Sequence, residues 1–189
     1  MSVIRHPSQR VAVFVDVSNL YHSAKHLFVS RVNFKALLES AVAGRHLVRS
    51  LAYVVRAGEA EEQAFFDALT KAEFEVKMKD LQIFAGGTKK GDWDIGIAVD
   101  AIRLAPNLDV IVLATGDGDF VPLVEYLKLH FGIQVELMAF GRSAALRLRE
   151  TVDDVTDLGD PKFLIRIRRA QGRARPAPAS TRPREGSSA

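Results

Sequence analysis

Four aspartates stand where apolar or loop segments give way to helical patterns. Asp16 follows the run VAVFV (11–15), Asp117 and Asp119 follow VIVLA (110–114) within ATGDGDF, and Asp94 opens a helical pattern behind KKGDW. Taken singly, each has an ordinary reading. Asp119 reads as an N-cap for the helix that follows, with Pro122 in its first turn, because a carboxylate there satisfies otherwise unpaired N–H groups. Asp16, followed by Ser18 and Asn19, reads as turn and cap chemistry. Asp117 lies too early to be the cap if Asp119 takes that role. Gly116 and Gly118 on either side suggest an unusual backbone path.

Taken together, the four predict something else. Two unit charges ~4 Å apart repel by roughly 4 kcal/mol at an effective dielectric near 20. A group of carboxylates therefore requires shared protons or a cation. With no cysteine in the chain, an oxygen-only donor set of aspartates suits a hard ion, Mg²⁺ or Mn²⁺. Such an ion activates water and neutralises charge developing on a phosphoryl oxygen. The residues by themselves point to an acidic divalent-metal site, with phosphoryl transfer as its chemistry. Asp100 is six residues beyond Asp94, on a different face of the same helix. Of the two, Asp94 is favoured for the site.

The elements that must position these acids alternate. Strands are predicted at 11–15, within 46–56, at an edge over 74–79, at 110–114 and over 133–140. Helices are predicted over 18–29, 34–42, 60–72, 94–104, from the GDGD stretch to Phe131, and from an N-cap at Ser143 to about Thr151. Residues 81–93 read as a loop. Alternation of this kind gives a parallel sheet covered on both faces. Its ligands bind beyond the carboxyl ends of the strands, where Asp16 and Asp117 both fall.

The 189-residue chain suits one domain with a sizeable core. Its formal charge is +3, but residues 160–189 hold eight basic and two acidic residues, so residues 1–159 carry −3. Basicity is thus a property of the tail. LIRIRRAQ (164–171) is read as extending a helix, and the Pro/Arg/Ser-rich remainder as disordered. The first residues show no signal-peptide pattern and no apolar run approaches a membrane span, so a soluble cytoplasmic protein without a membrane partner is expected.

VFVDVSNLYHSAK (13–25), KKGDWDIGIAVDAI (89–102), ATGDGDFVPLVEYLK (114–128) and SAALRLRETVDDVTDL (143–158), in this order, resemble the NYN domain of the LabA-like group, part of the PIN-like nuclease superfamily. The resemblance covers about residues 10–158. It implies a PIN-like three-layer α/β/α sandwich with a mainly parallel sheet, an NYN domain at 10–160 and a basic tail at 161–189. It further implies a ribonuclease using Mg²⁺ or Mn²⁺, with Asp16, Asp94, Asp117 and Asp119 as metal-binding and catalytic residues. Asn19, Lys90 and Thr115 match positions beside the substrate. Asp100 and Asp153 match further acids of the family, Asp100 with its role open, and Val155 replaces the usual aromatic of the closing motif. RNA, expected to be single-stranded, is the implied partner, with the Arg-rich tail as either a phosphate-binding arm or a linker and Trp93 as either a base-stacking or a packing residue. A homo-oligomer is left open.

Two other readings compete. A non-catalytic regulatory or binding module could retain the acidic pocket. Other metal–phosphate enzymes fit less well. A Toprim domain would place a glutamate after the first strand, and a haloacid-dehalogenase-type phosphatase would place a second acid at Ser18.

Overall fold

The computed structural model describes residues 3–56, 62–83 and 89–167. Strand β1 (Arg10–Asp16) is the centre of the fold. Val11, Val13 and Val15 point to one face of the sheet and Ala12 and Phe14 to the other, all buried. This is the two-residue period of a strand covered on both sides.

Around it run β3 (His46–Arg56), β4 (Glu75–Asp80), β7 (Val110–Ala114), β8 (Gln134–Ala139) and β9 (Asp154–Asp157), in the spatial order β4-β3-β1-β7-β8-β9. Every pairing in this sheet is parallel. Renumbered within the sheet, the order is 3-2-1-4-5-6. The chain therefore reverses its direction of travel between β1 and β7, and a crevice opens at their carboxyl ends.

Helices α1 (Val17–Phe28), α2 (Phe34–Val42) and α3 (Glu62–Lys71) cover one face. Helices α4 (Asp94–Leu104), α5 (Val121–Phe131) and α6 (Leu146–Thr151) cover the other. The result is a three-layer α/β/α sandwich, as expected. Among the described residues no helix is long and apolar enough to cross a membrane.

Several local readings are corrected. Residues 164–167, expected to extend a helix, are not helical. Leu164–Arg166 forms β10, antiparallel to β2 (Ser30–Val32), after Phe163 buries itself in the core and its carbonyl accepts from Asn33 N–H at 2.8 Å. The alternation of apolar and charged residues in LIRIR is a period-2 signal. Residues 168–189, including the Arg-rich remainder of the tail, lie outside the described residues. Ser143 does not cap α6, which starts at Leu146 behind Ala145. The Ser143 hydroxyl instead meets Ser23 Oγ at 3.1 Å and Phe140 O at 3.3 Å. Within the expected loop 81–93, Gln82–Ile83 (β5) pairs antiparallel with Lys89–Lys90 (β6). Strands too short to show a period, such as β2 and β9, escaped the sequence reading.

Helix α1 ends on Val29, whose φ of 49° is left-handed. A β-branched residue is poorly suited to that region. Val29 is 57% exposed, so little packing is at stake. Val29→Gly is expected to stabilise the protein by about 1 kcal/mol, the relief of left-handed strain exceeding the added freedom of the unfolded chain. A urea midpoint that falls would contradict this.

Candidate metal centre

Asp16 ends β1 and also caps α1: its Oδ1 accepts from Asn19 N–H at 3.0 Å. Across the switch point, the buried Thr115 leaves β7 and ties two acids together. Its hydroxyl donates to Asp16 Oδ2 at 3.4 Å and accepts from Asp117 N–H at 3.2 Å. Asn19 reaches the same loop, its Oδ1 accepting from Gly116 N–H at 2.8 Å. Thr115 and Asn19 thus hold the ends of β1 and β7 in one fixed relation.

The capping roles are the reverse of those expected. Asp117, not Asp119, caps the 3-10 turn Gly118–Phe120, its Oδ1 accepting from Asp119 N–H at 2.9 Å. This frees the exposed Asp119 carboxylate. The glycines also serve differently. Neither Gly116 nor Gly118 is among the described glycines of positive φ, which are Gly44 and Gly132. They admit a neighbouring loop instead: a Cβ at Gly116 would lie 3.3 Å from Ala144 Cα, and one at Gly118 would lie 3.0 Å from Ala145 Cβ. Ala145 N–H donates to Gly116 O at 3.0 Å, so the chain leaving β8 is laced onto the chain leaving β7.

Asp94 enters from the other side, in the first turn of α4. Each of Asp94, Asp117 and Asp119 offers a carboxylate oxygen, and the three atoms lie within 4.8 Å of one another. This donor set, oxygen-only and anionic, fits a hard divalent ion. It contains three of the four acids expected at the metal and omits Asp16. Asp16 stands behind it, committed to Asn19 and Thr115, but still close enough to be felt electrostatically. Burial, then Asp117 and Asp16, then Asp92 and Asp119, push the Asp94 carboxyl up to about 6. Burial also raises Asp16; its hydrogen bonds from Asn19 and Thr115 oppose the rise, and Asp117 adds to it. Repulsion of this kind marks a site that gains from a cation or a proton.

The remaining candidates separate cleanly. Asp100 faces away from this group. It accepts from Tyr53 Oη at 2.8 Å and pairs with Lys77. Burial alone would raise its carboxyl, but Lys77 and Tyr53 together hold it below the usual carboxylate range. Asp153 joins the opposite end of the sheet, accepting from Val135 N–H at 2.8 Å and pairing with Lys128 at 2.8 Å. Trp93 is a packing residue. Its ring meets Tyr53 edge-on and its Nε1 donates to Val54 O at 2.9 Å. Lys90 lies in β6, and its side chain is outside the described residues.

A parallel α/β/α sandwich with carboxylates grouped at its switch point is the architecture expected of a PIN-like domain. The NYN domain family model matches residues 10–159, and the chain belongs to that family. NYN domains fall within the PIN-like nucleases, whose members generally bind or act on RNA. The chain is 26% identical over 167 residues to the low amplitude and bright protein LabA of Synechococcus elongatus, covering 82% of this chain and 87% of that protein. A crystal structure of a protein of unknown function from Vibrio parahaemolyticus superposes with a TM-score of 0.79 at 29% identity, over 86% of this chain and 100% of that one.

Proposed function

We propose that the domain is a metal-dependent ribonuclease that hydrolyses RNA phosphodiester bonds, with single-stranded RNA as substrate. The observation that carries this reading is the convergence of Asp94, Asp117 and Asp119 to within 4.8 Å at the switch point. Membership of an RNA-acting family supports it. Asp94, Asp117 and Asp119 would hold Mg²⁺ or Mn²⁺, with Asp16 behind them adding negative potential or a further ligand. When bound, such an ion supplies a water of lowered pKa and neutralises charge on the phosphoryl oxygens.

The protein's own residues do the rest. Thr115 and Asn19 act as positioning residues, since Thr115 Oγ1 is engaged with Asp16 and Asp117 and Asn19 Oδ1 with Gly116. Asp119, the exposed member, would bind the ion or orient the attacking water. The high proton affinity of Asp94 means that metal binding competes with a proton. Metal affinity is therefore expected to fall as the pH drops below about 6, the value to which Asp94 is pushed.

The test is incubation of the full chain with end-labelled single-stranded RNA and Mn²⁺, alongside EDTA and Asp117→Asn. Cleavage by the wild type alone, abolished by EDTA, is the expected result. RNA binding without any metal-dependent cleavage would replace the nuclease reading with that of a non-catalytic binding module.

A further inference from the structure

The metal centre lies at the Asp94 end of α4, and a cluster of cations lies further down the same helix. Arg49 on β3, Lys77 on the edge strand β4 and Arg103 on α4 line a cavity of about 230 Å³, together with Asp100, Leu51 and Leu104. Three cations gather here on a body whose residues 1–159 carry a net −3. They are held in place by buried or paired groups. Asp100, only 14% exposed at its side chain, takes Lys77 on one oxygen and Arg103 at 3.8 Å on the other. Tyr53 fixes the same carboxylate from beneath. Arg49 is braced by Glu75 through Nε and Nη2.

None of these contacts exhausts the donors. Arg carries five N–H donors and Lys three. Arg49 therefore keeps its Nη1 donors, Lys77 keeps two, and Arg103, 75% exposed, keeps nearly all. The anchoring acids thus hold the cations while leaving charge and donors for an external anion. A purely protective role for edge-strand lysines accounts for Lys77. It does not account for arginines from a second strand and a helix closing on the same cavity.

We propose that this cavity is a backbone-phosphate subsite for single-stranded RNA whose reacting bond lies at the metal centre. Asp100, which anchors the cations, lies six residues beyond Asp94 on the same helix, about 9 Å along its axis at 1.5 Å per residue, so one strand running past α4 can meet both. Lys79, two residues after Lys77 on β4, stands over the ring of Trp93, the residue before α4, at 4.9 Å. The subsite deepens the RNA-acting reading above and rests on it.

Binding of a fluorescent ten-nucleotide oligouridylate, measured in EDTA across a salt series so that no cleavage intervenes, tests the proposal. Arg103→Gln and the double variant Arg49→Gln/Lys77→Gln are each expected to weaken binding three- to tenfold. Each should also lower the slope of log K against log salt by about 0.7 per lost phosphate contact. Lys35→Gln removes an exposed cation on the opposite face of the sheet and should change neither. Thermal melts verify folding, and Arg103→Gln alone suffices if the double variant unfolds. Unchanged slopes overturn the subsite, as does an equal fall in Lys35→Gln or an absence of binding by the wild type. Lost cleavage with the pocket effects intact would instead sink only the nuclease reading, whereas intact cleavage with unchanged binding would sink only the subsite.

Discussion

Asp94→Asn is expected to slow metal-dependent cleavage about a hundredfold and, in EDTA at pH 7.5, to make the protein more stable than the wild type. The stability gain follows from the direction of the shift. The folded Asp94 carboxyl is pushed up to about 6 by burial and by Asp117, Asp16, Asp92 and Asp119. Its value in an unfolded chain is about 3.9. Between these values the folded state binds more protons than the unfolded one, so stability falls as pH rises through this interval. Above it the full cost of an ionised Asp94 remains.

An amide removes that cost, worth about 1 kcal/mol after discounting for solvent screening of this partly exposed group. The gain should be present at pH 7 to 8 and vanish near pH 4. Added Mn²⁺ should reverse the order of the melting temperatures, because an ion that binds only the folded state stabilises it by mass action. Loss of one carboxylate ligand is expected to cost roughly 3 kcal/mol of transition-state stabilisation, about a hundredfold in rate. A variant less stable than wild type at pH 7.5 in EDTA would show that Asp94 is held by favourable contacts rather than by mutual repulsion.

Glu136→Ala is expected to be the most destabilising single change, at about 3–5 kcal/mol, because it strands a buried guanidinium. The Arg45 side chain is 1% exposed and that of Glu136 5%. Arg45 donates to the two Glu136 oxygens at 2.6 and 3.0 Å, and also to Ala41 O and Val42 O at the end of α2. It therefore satisfies terminal helix carbonyls while tying α2 to β8, a cation at the negative end of a helix. The double variant Arg45→Met/Glu136→Leu should recover much of the loss, since an apolar pair of similar volume needs no desolvation of charge. Urea denaturation of both variants checks this. A single-variant loss below 1 kcal/mol would mean that water reaches the pair.

How much of this was legible in sequence depended on how local each signal is. VAVFV and VIVLA announced strands buried on both faces, and their order with the intervening helices announced the parallel sheet. Arg45 and Glu136 were not legible as a pair. They are 91 positions apart, and a lone Glu in the apolar run of β8 gives no hint of its partner. Helix α6 was misplaced because Ser143 is a good cap by type, yet its hydroxyl is used by Ser23 and Phe140. Asp153 looked like a candidate acid by its place in a motif, but the β8–β9 pairing puts it at the far end of the sheet.

The sequence by itself determined which acids reach the switch-point edge. Strand ends and helix starts are properties of short segments, and Asp16, Asp94, Asp117 and Asp119 all sit at them. Only the tertiary structure decided how these acids divide the work. Asp16 and Asp117 accept capping bonds, Asp119 is released to the surface, and Asp94 closes the three-carboxylate group from a helix more than seventy residues after Asp16. The same packing withdrew Asp100 into the company of Tyr53 and Lys77 and gave the glycines of GDGD, expected to permit an unusual backbone path, the role of clearance for the loop at Ala144 and Ala145. Competition for hydrogen bonds and charges is settled by distance through space, which residue spacing along a chain does not encode.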